Sequence, residues 1–280
     1  MKYCAAVLTI ICLLYTEAVF SEEVQPTFKY VTSYNKEGRF MTKNDIEKSS
    51  INVLKPIIFV IGGLTNDDKN GDSWSRDLQD AYLEKFIHNV FIVDWNVTSP
   101  LDSDALTKAR SAGLTVADFI ATIFNKTGEA YLDIHLVAVS LGCEVAASAA
   151  GRFADISSRK INRLTGLDPA YYLISNGNEL KLSPENADFV DVVNTKLNGD
   201  LKQTGHVDIF VDGEGSNGPS SHGVPKSVTL FAKSVNSNDI KATKCDNLEN
   251  FRKGGCNDEE QVTFGENIDK AARGRYFLKY

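Results

Sequence analysis

The sequence predicts an α/β fold with a central, mostly parallel sheet and helices on both faces. Short apolar segments rich in β-branched residues recur along the 280-residue chain. Longer segments separate most of them, and between Ala105 and Phe124 the apolar residues recur at three- and four-residue steps, as on one side of a helix. Strands that alternate with helices form parallel βαβ units, and the sheet that they build is covered on both sides.

Each element is predicted from a local pattern. Six apolar runs predict strands at Ile57–Ile61, Val90–Asp94, Ile134–Val139, Leu164–Leu167, Phe189–Thr195 and Val207–Val211. Helices are predicted over Ala105–Phe124, over Cys143–Ala150 and near Val228–Val235. Because no repeat, low-complexity tract or linker interrupts this order, residues 22–280 are predicted to form a single domain.

The N-terminus predicts a secretory signal peptide over residues 1–21. Lys2 precedes the apolar run Ala5–Leu14, and small residues that suit cleavage follow at Ala18 and Ser21. The run is shorter than the roughly 20 apolar residues that a membrane-spanning helix needs. A buried N-terminal helix or a signal anchor is the alternative. We therefore expect a secreted, extracellular protein.

Cysteines and sequons agree with an extracellular location. Cys245 and Cys256 lie close together in a polar segment, and an oxidising compartment favours a disulfide between them over two free thiols. Cys143 follows an apolar strand and is expected to be a buried, inert thiol. Asn96 and Asn125 begin N-x-T sequons, which predict glycosylation.

The net charge argues against binding to polyanionic partners. The formal net charge of −7 offers no electrostatic attraction to nucleic acid or to an anionic membrane surface. Contact with lipid would therefore depend on apolar surface. The sequence also has no convincing cluster of metal ligands.

The most informative segment surrounds Ser140. The predicted strand Ile134–Val139 runs into this serine, and a helix of small residues leaves it. A serine on such a tight turn is held out of the sheet with its hydroxyl exposed, an arrangement called the nucleophile elbow. The usual pattern is G-x-S-x-G, and here Ala138 and Gly142 stand at the two small positions. The alternative is a serine that caps the helix N-terminus, which the S-x-G pattern alone would favour.

Asp168 is the predicted orienting carboxylate. A serine nucleophile needs a base, and the base needs a carboxylate to hold it. Asp168 directly follows a predicted strand, which places it at the same sheet edge as Ser140. Alternatively, it is a turn residue in front of Pro169. With this arrangement the sequence indicates an α/β-hydrolase, in which the chain order is Ser, Asp, His.

His222 is the preferred base among four histidines. His88 and His135 precede the serine and do not fit the order. His206 begins a predicted strand, which favours a structural role. His222 lies in the loop segment GPSSHGVP, from which it could reach Ser140.

Two backbone N–H groups are predicted to form the oxyanion hole. One belongs to Leu141, the residue after the serine. The other belongs to Leu64, because Gly62 and Gly63 allow a tight turn after an early strand. An ordinary glycine turn is the alternative for this loop.

Over nearly its whole length after residue 21 the chain resembles the pancreatic-lipase-like family, particularly its insect members and the related venom phospholipases that act at the sn-1 ester. The resemblance is carried by VFIVDWN, HLVAVSLG, INRLTGLDPA, ENADFVDVVNT, GHVDIF, SSH, the KC…GC pair and ARGRYFLKY. It implies an α/β-hydrolase fold, extracellular hydrolysis of carboxylic esters, and the roles given above to Ser140, Asp168, His222, Leu64 and Leu141.

Two departures from the family pattern lie close to the predicted site in the sequence. Members usually have Gly-His before the serine, where this chain has Ala138-Val139, and His-Gly in the oxyanion loop, where this chain has Gly62-Gly63. Both departures lie beside the predicted site, so they concern the geometry of the donors.

Two functions follow from these patterns. The first is a secreted lipid carboxylesterase, of the triacylglycerol lipase or the sn-1 phospholipase type, that acts on a lipid ester at a membrane or lipid-droplet surface. This chemistry needs no metal or organic cofactor. The alternative is a catalytically weak or inactive lipid-binding or yolk-type protein that keeps the lipase fold.

Overall fold

The computed structural model describes residues 24–49, 51–63, 74–84, 89–95, 104–127, 132–170, 182–197, 203–213 and 225–280. The predicted signal peptide, Leu64, Asn96 and His222 lie outside these ranges. Within the described residues the structure has an eleven-stranded sheet and six α-helices.

The strands are β1 Thr27–Thr32, β2 Asn35–Phe40, β3 Ile57–Ile61, β4 Asn89–Asp94, β5 Ile134–Val139, β6 Ile161–Leu167, β7 Ala187–Asn194, β8 Val207–Asp212, β9 Lys241–Lys244, β10 Gln261–Thr263 and β11 Gly274–Lys279. The helices are α1 Lys43–Lys48, α2 Trp74–Glu84, α3 Ala105–Thr127, α4 Gly142–Ser157, α5 Lys226–Val235 and α6 Leu248–Arg252.

The centre of the sheet is parallel. Its strand order is β10-β9-β11-β8-β7-β6-β5-β3-β4-β1-β2, and every neighbouring pair from β11 to β4 is parallel. The chain reverses its direction of travel across the sheet between β3 and β5. In open α/β sheets ligands bind outside the carboxyl ends of the strands at such a switch point. We call the side of the sheet where the parallel strands end the carboxyl edge.

Helices cover the sheet on both faces, as the sequence predicts. On one face α1, α3 and α4 pack against strand residues such as Phe59, and on the other face α2 and α5 pack against residues such as Val60. Parallel strands buried on both faces read as continuous apolar runs, and all five residues of β3 are buried. The predicted α/β-hydrolase fold is therefore confirmed.

Close contact between α3 and α4 fixes the helix that follows Ser140. A Cβ on Gly113 would lie 2.6 Å from the Cβ of Ser148, so only glycine allows this approach. The Ser148 hydroxyl donates to the carbonyl of Arg110 at 3.0 Å. The Arg110 guanidinium in turn forms a 2.7 Å ion pair with Glu144, which is 1% exposed. These contacts hold the first turns of α4 against the neighbouring helix.

A disulfide joins Cys245 and Cys256, as the sequence predicts. It closes the segment that contains α6, and Phe251 of this segment stacks on Phe277 of β11. Arg252 pairs with the Asp212 carboxylate at the end of β8 through two hydrogen bonds of 2.6 and 3.0 Å. Among the helices of the described ranges, none has the length and apolar character needed to cross a membrane.

Asp208 is a buried carboxyl on β8. Its Oδ2 accepts the backbone N–H groups of Thr204 and Gly205 at 3.0 and 2.8 Å, which fixes the turn that leads into the strand. Burial raises the pKa of Asp208 to about 6, although the two N–H groups oppose the shift.

The raised pKa predicts that Asp208 weakens the fold as the pH rises. Below the pKa of Asp208 in the unfolded chain, the carboxyl is neutral in both the folded and the unfolded state, so its ionisation does not change the free energy of unfolding. Between that value and about 6 the unfolded chain ionises first, so the free energy of unfolding falls by up to about 3 kcal/mol. In Asp208→Asn this loss should be absent.

Urea denaturation at about pH 4 and about pH 7 measures the effect, with exposed Asp188→Asn as the control for the loss of one charge. The free energy of unfolding of Asp208→Asn, minus that of wild type, should be larger at the higher pH than at the lower pH. A difference between the two proteins that stays constant with pH would contradict the assignment.

Candidate active site

Ser140 occupies a sharp turn between β5 and α4. Its φ of 54° lies in the left-handed region, which is uncommon for a non-glycine residue. The Ser140 N–H donates to the Leu167 carbonyl at 2.9 Å, and its own carbonyl accepts the N–H of Cys143 at 3.2 Å. One residue thus ends the strand ladder and begins the helix. Such a conformation costs roughly 1–3 kcal/mol and persists only where the surroundings impose it.

Two glycines allow the loop after β3 to lie directly against this turn. A Cβ on Gly142 would collide with the carbonyl oxygens of Ile61 and Gly62. A Cβ on Gly63 would lie 2.7 Å from the Leu141 nitrogen and 2.9 Å from the Ser140 Cβ. The predicted oxyanion loop and the N–H of Leu141 therefore share one corner of the carboxyl edge, on the side of Ser140 that faces β3.

Asp168 lies on the other side of Ser140. Val139 pairs with Leu167 in the β5–β6 ladder, so the residues that follow them, Ser140 and Asp168, end adjacent strands. Asp168 also has a left-handed φ, of 46°, and its N–H donates to the Val193 carbonyl of β7 at 2.8 Å. The structure therefore brings Ser140 and Asp168 to the same edge of the sheet.

Thr195 holds both oxygens of the Asp168 carboxylate. Its backbone N–H donates to Oδ1 at 2.6 Å, and its hydroxyl donates to Oδ2 at 2.7 Å. Thr195 is 1% exposed and Asp168 is 8% exposed, so these bonds lie out of bulk water. Hydrogen bonds to an ionised acceptor are the strong ones, and two of them fix the plane of the carboxylate. The sequence predicts only that Thr195 ends a strand. Its contact with Asp168 depends on the pairing of β6 with β7, which the sequence pattern does not specify.

Trp95 is the second residue that sequence reasoning missed. It directly follows β4, is 2% exposed, and its indole Nε1 donates to the Gly62 carbonyl at 2.6 Å. In the sequence, the segment VFIVDWN carries only a family resemblance. The contact depends on β4 lying beside β3, which the sequence pattern alone does not specify.

The two described histidines are engaged elsewhere. His206 precedes β8, at the end of the sheet opposite to Ser140, and its Nδ1 accepts the N–H of Val190 at 3.0 Å. His135 is buried within β5, with Nε2 2.8 Å from the Thr165 hydroxyl and Nδ1 3.5 Å from Glu266. Neither lies at the carboxyl edge, and the other two histidines, His88 and His222, lie outside the described residues.

Three further residues singled out in the sequence, Leu141, Cys143 and Asn125, lie within the described ranges. Leu141 is fully buried at the start of α4. Cys143 is a buried free thiol, as predicted, and burial raises its pKa, which keeps it in the unreactive protonated form. Asn125 is exposed in the last turn of α3.

A strand-turn-helix serine at the switch point of a parallel sheet, with a carboxylate at the end of the next strand, is the arrangement of an α/β-hydrolase site. The comparison with known sequences narrows this class. The family model described as Lipase matches residues 21–279. The chain belongs to the lipase family.

Individual relatives agree with this assignment. Lipase member H of Rattus norvegicus is 31% identical over 235 residues, which cover 76% of this chain and 50% of the relative. Lipoprotein lipase of Gallus gallus is 37% identical over 51% of this chain and 31% of its own length. Inactive pancreatic lipase-related protein 1 of Homo sapiens is 29% identical over 74% of this chain and 45% of its own length. The chain spans half or less of the length of these relatives.

Solved structures show only partial similarity. An esterase of Pyrobaculum calidifontis overlaps 57% of this chain and 58% of its own, with a TM-score of 0.31 and 16% identity. Esterase B of Lactobacillus rhamnosis overlaps 76% of this chain and 72% of its own, with a TM-score of 0.29 and 12% identity.

Removal of the Thr195 hydroxyl should destabilise the fold. In Thr195→Val the Asp168 Oδ2 loses a buried donor, and the free energy of unfolding should fall by about 2 kcal/mol. Thr195→Ser keeps the hydroxyl and should lose less. Urea denaturation of both variants tests this, and a valine variant that is as stable as wild type would show that the bond contributes nothing.

Proposed function

We propose that this chain hydrolyses carboxylic esters of lipids through an acyl-enzyme on Ser140. The observation that carries the proposal is the left-handed turn of Ser140 at the carboxyl edge, with Asp168 fixed at the end of the adjacent strand. Membership of the lipase family supports the lipid ester as the class of substrate.

Each residue has one task in the proposed reaction. Ser140 Oγ attacks the acyl carbonyl while His222 takes its proton, and Asp168 orients the imidazole. The N–H groups of Leu141 and Leu64 bind the negative oxygen of the tetrahedral intermediate. The intermediate collapses, the alcohol leaves with the proton from His222, and water then releases the fatty acid by the same steps in reverse order.

Helix α4 contributes to this chemistry through its position. Its N-terminus lies directly behind Ser140, and the positive end of a helix dipole favours negative charge that develops there. The buried Glu144 in its first turn is paired with Arg110, so it does not oppose that charge as an isolated anion would. The choice between triacylglycerol and sn-1 phospholipid, secretion after removal of residues 1–21, and glycosylation at Asn96 and Asn125 are parts of the same proposal.

An inactive lipid-binding protein is the second candidate. The altered positions Ala138-Val139 and Gly62-Gly63 favour it, as does the presence of a relative named as inactive. Against it stand the strained turn of Ser140 and the carboxylate of Asp168 held by Thr195 at the same edge, since strained backbone clusters at active sites.

Covalent labelling by a fluorophosphonate discriminates between the two functions. Wild type should be labelled, and Ser140→Ala should lose the label and at least about a thousandfold of its ester hydrolysis, because no other group replaces the nucleophile. Hydrolysis of triacylglycerol and phospholipid by the secreted protein identifies the preferred class.

Ser158→Ala is the matched control. Ser158 also has a left-handed φ, of 56°, but it is an exposed residue at the opposite end of α4. The variant should be labelled like wild type. Folded wild type that takes up no label would support the inactive candidate instead.

A further inference from the structure

We infer that Trp95 is the positioning residue of the oxyanion loop, which we define as Gly62 and Gly63. The inference rests on the proposed function. Trp95 does not touch the reacting atoms; it acts through the 2.6 Å hydrogen bond from its indole Nε1 to the Gly62 carbonyl. Its ring is 2% exposed, at the end of the strand that neighbours β3.

The hydrogen bond adds a directional anchor to the peptide between Gly62 and Gly63, beside its packing against Gly142 and Leu141. A trans peptide is planar, so holding the Gly62 oxygen also directs the Gly63 N–H to the opposite side. Two consecutive glycines have the largest conformational freedom of any dipeptide. The His-Gly that family members usually carry would restrict this turn more than Gly62-Gly63 does, so this chain depends more on an external anchor.

The orientation of this peptide plane affects the position of the predicted oxyanion donors. Gly63 lies so close to Leu141 and Ser140 that a Cβ would meet the Leu141 nitrogen at 2.7 Å. On the other side, Gly142 lies beneath the carbonyls of Ile61 and Gly62. Gly62 and Gly63 therefore fit between Trp95 and the turn at Ser140.

Loss of this hydrogen bond should weaken stabilisation of the transition state and leave substrate binding unchanged. Donors placed for the oxyanion act when charge develops on the oxygen, and a misplaced donor lowers kcat with little effect on KM. A residue that served only the stability of the fold would change the unfolding temperature without this selectivity.

Trp95→Phe tests the inference, because it keeps an aromatic ring and removes the N–H. We expect kcat for an ester substrate to fall about tenfold, with KM within about twofold of wild type. Affinity for a trifluoromethyl ketone, whose serine adduct carries an oxyanion, should fall by the same factor as kcat/KM. Affinity for an unreactive ether analogue of the substrate should not change.

Trp74→Phe is the control, since Trp74 is the only other tryptophan and begins α2 on the opposite face of the sheet. In that background, β-(3-benzothienyl)alanine at position 95 keeps the bicyclic ring and lacks only the donor, so it tests the bond if the phenylalanine variant fails to fold. The same selective loss of kcat is expected.

The outcomes separate this inference from the proposed function. Wild type that is not labelled by a fluorophosphonate overturns the proposed function and the inference with it. Labelled wild type beside Trp95 variants of unchanged kcat overturns the inference alone. Equal losses of affinity for the ketone and for the ether would assign Trp95 to substrate binding or folding, and would also overturn it.

Discussion

The left-handed turn at Ser140 is the constraint on which the rest of the site depends. The chain must pass from strand β5 to helix α4 within two residues, Ser140 and Leu141, because the helix starts directly beneath the carbonyls of Ile61 and Gly62. Only glycine at position 142 allows this contact, and the helix is held in place by its packing against α3. The packing of the core therefore imposes the strained turn, which places the half-buried Ser140 at the carboxyl edge of the sheet.

The two flanks of this turn are supported in the same way. On one side the residue after β4, Trp95, holds the carbonyl of the residue after β3. On the other side the residue after β7, Thr195, holds the carboxylate of the residue after β6. In each case a strand one step further from β5 supplies a buried donor to its inner neighbour. A parallel sheet makes this possible, since all the strands involved end at the same edge.

The sequence predicted the central strands and the elbow because their signals are local. Strand β3 is a continuous apolar run, β5 is apolar except for His135, and the predicted bounds of both match the structure. The outer strands gave no comparable signal: β2 pairs on one side only, and none of its six residues is buried. Strand β11 has a mixed polar and apolar sequence and lies beside β8 only through a long-range pairing. Long-range pairing also explains why Thr195 and Trp95 were missed, since each is defined by the strand beside it.

A crystal structure of the protein after reaction with a fluorophosphonate is the most direct test of the central claim. We predict that phosphorus is bonded to Ser140 Oγ, that the phosphoryl oxygen lies about 3 Å from the Leu141 nitrogen, and that the His222 imidazole bridges Ser140 and Asp168. Phosphorus bonded to another residue, or a phosphoryl oxygen directed away from Leu141 and the oxyanion loop, would contradict the account.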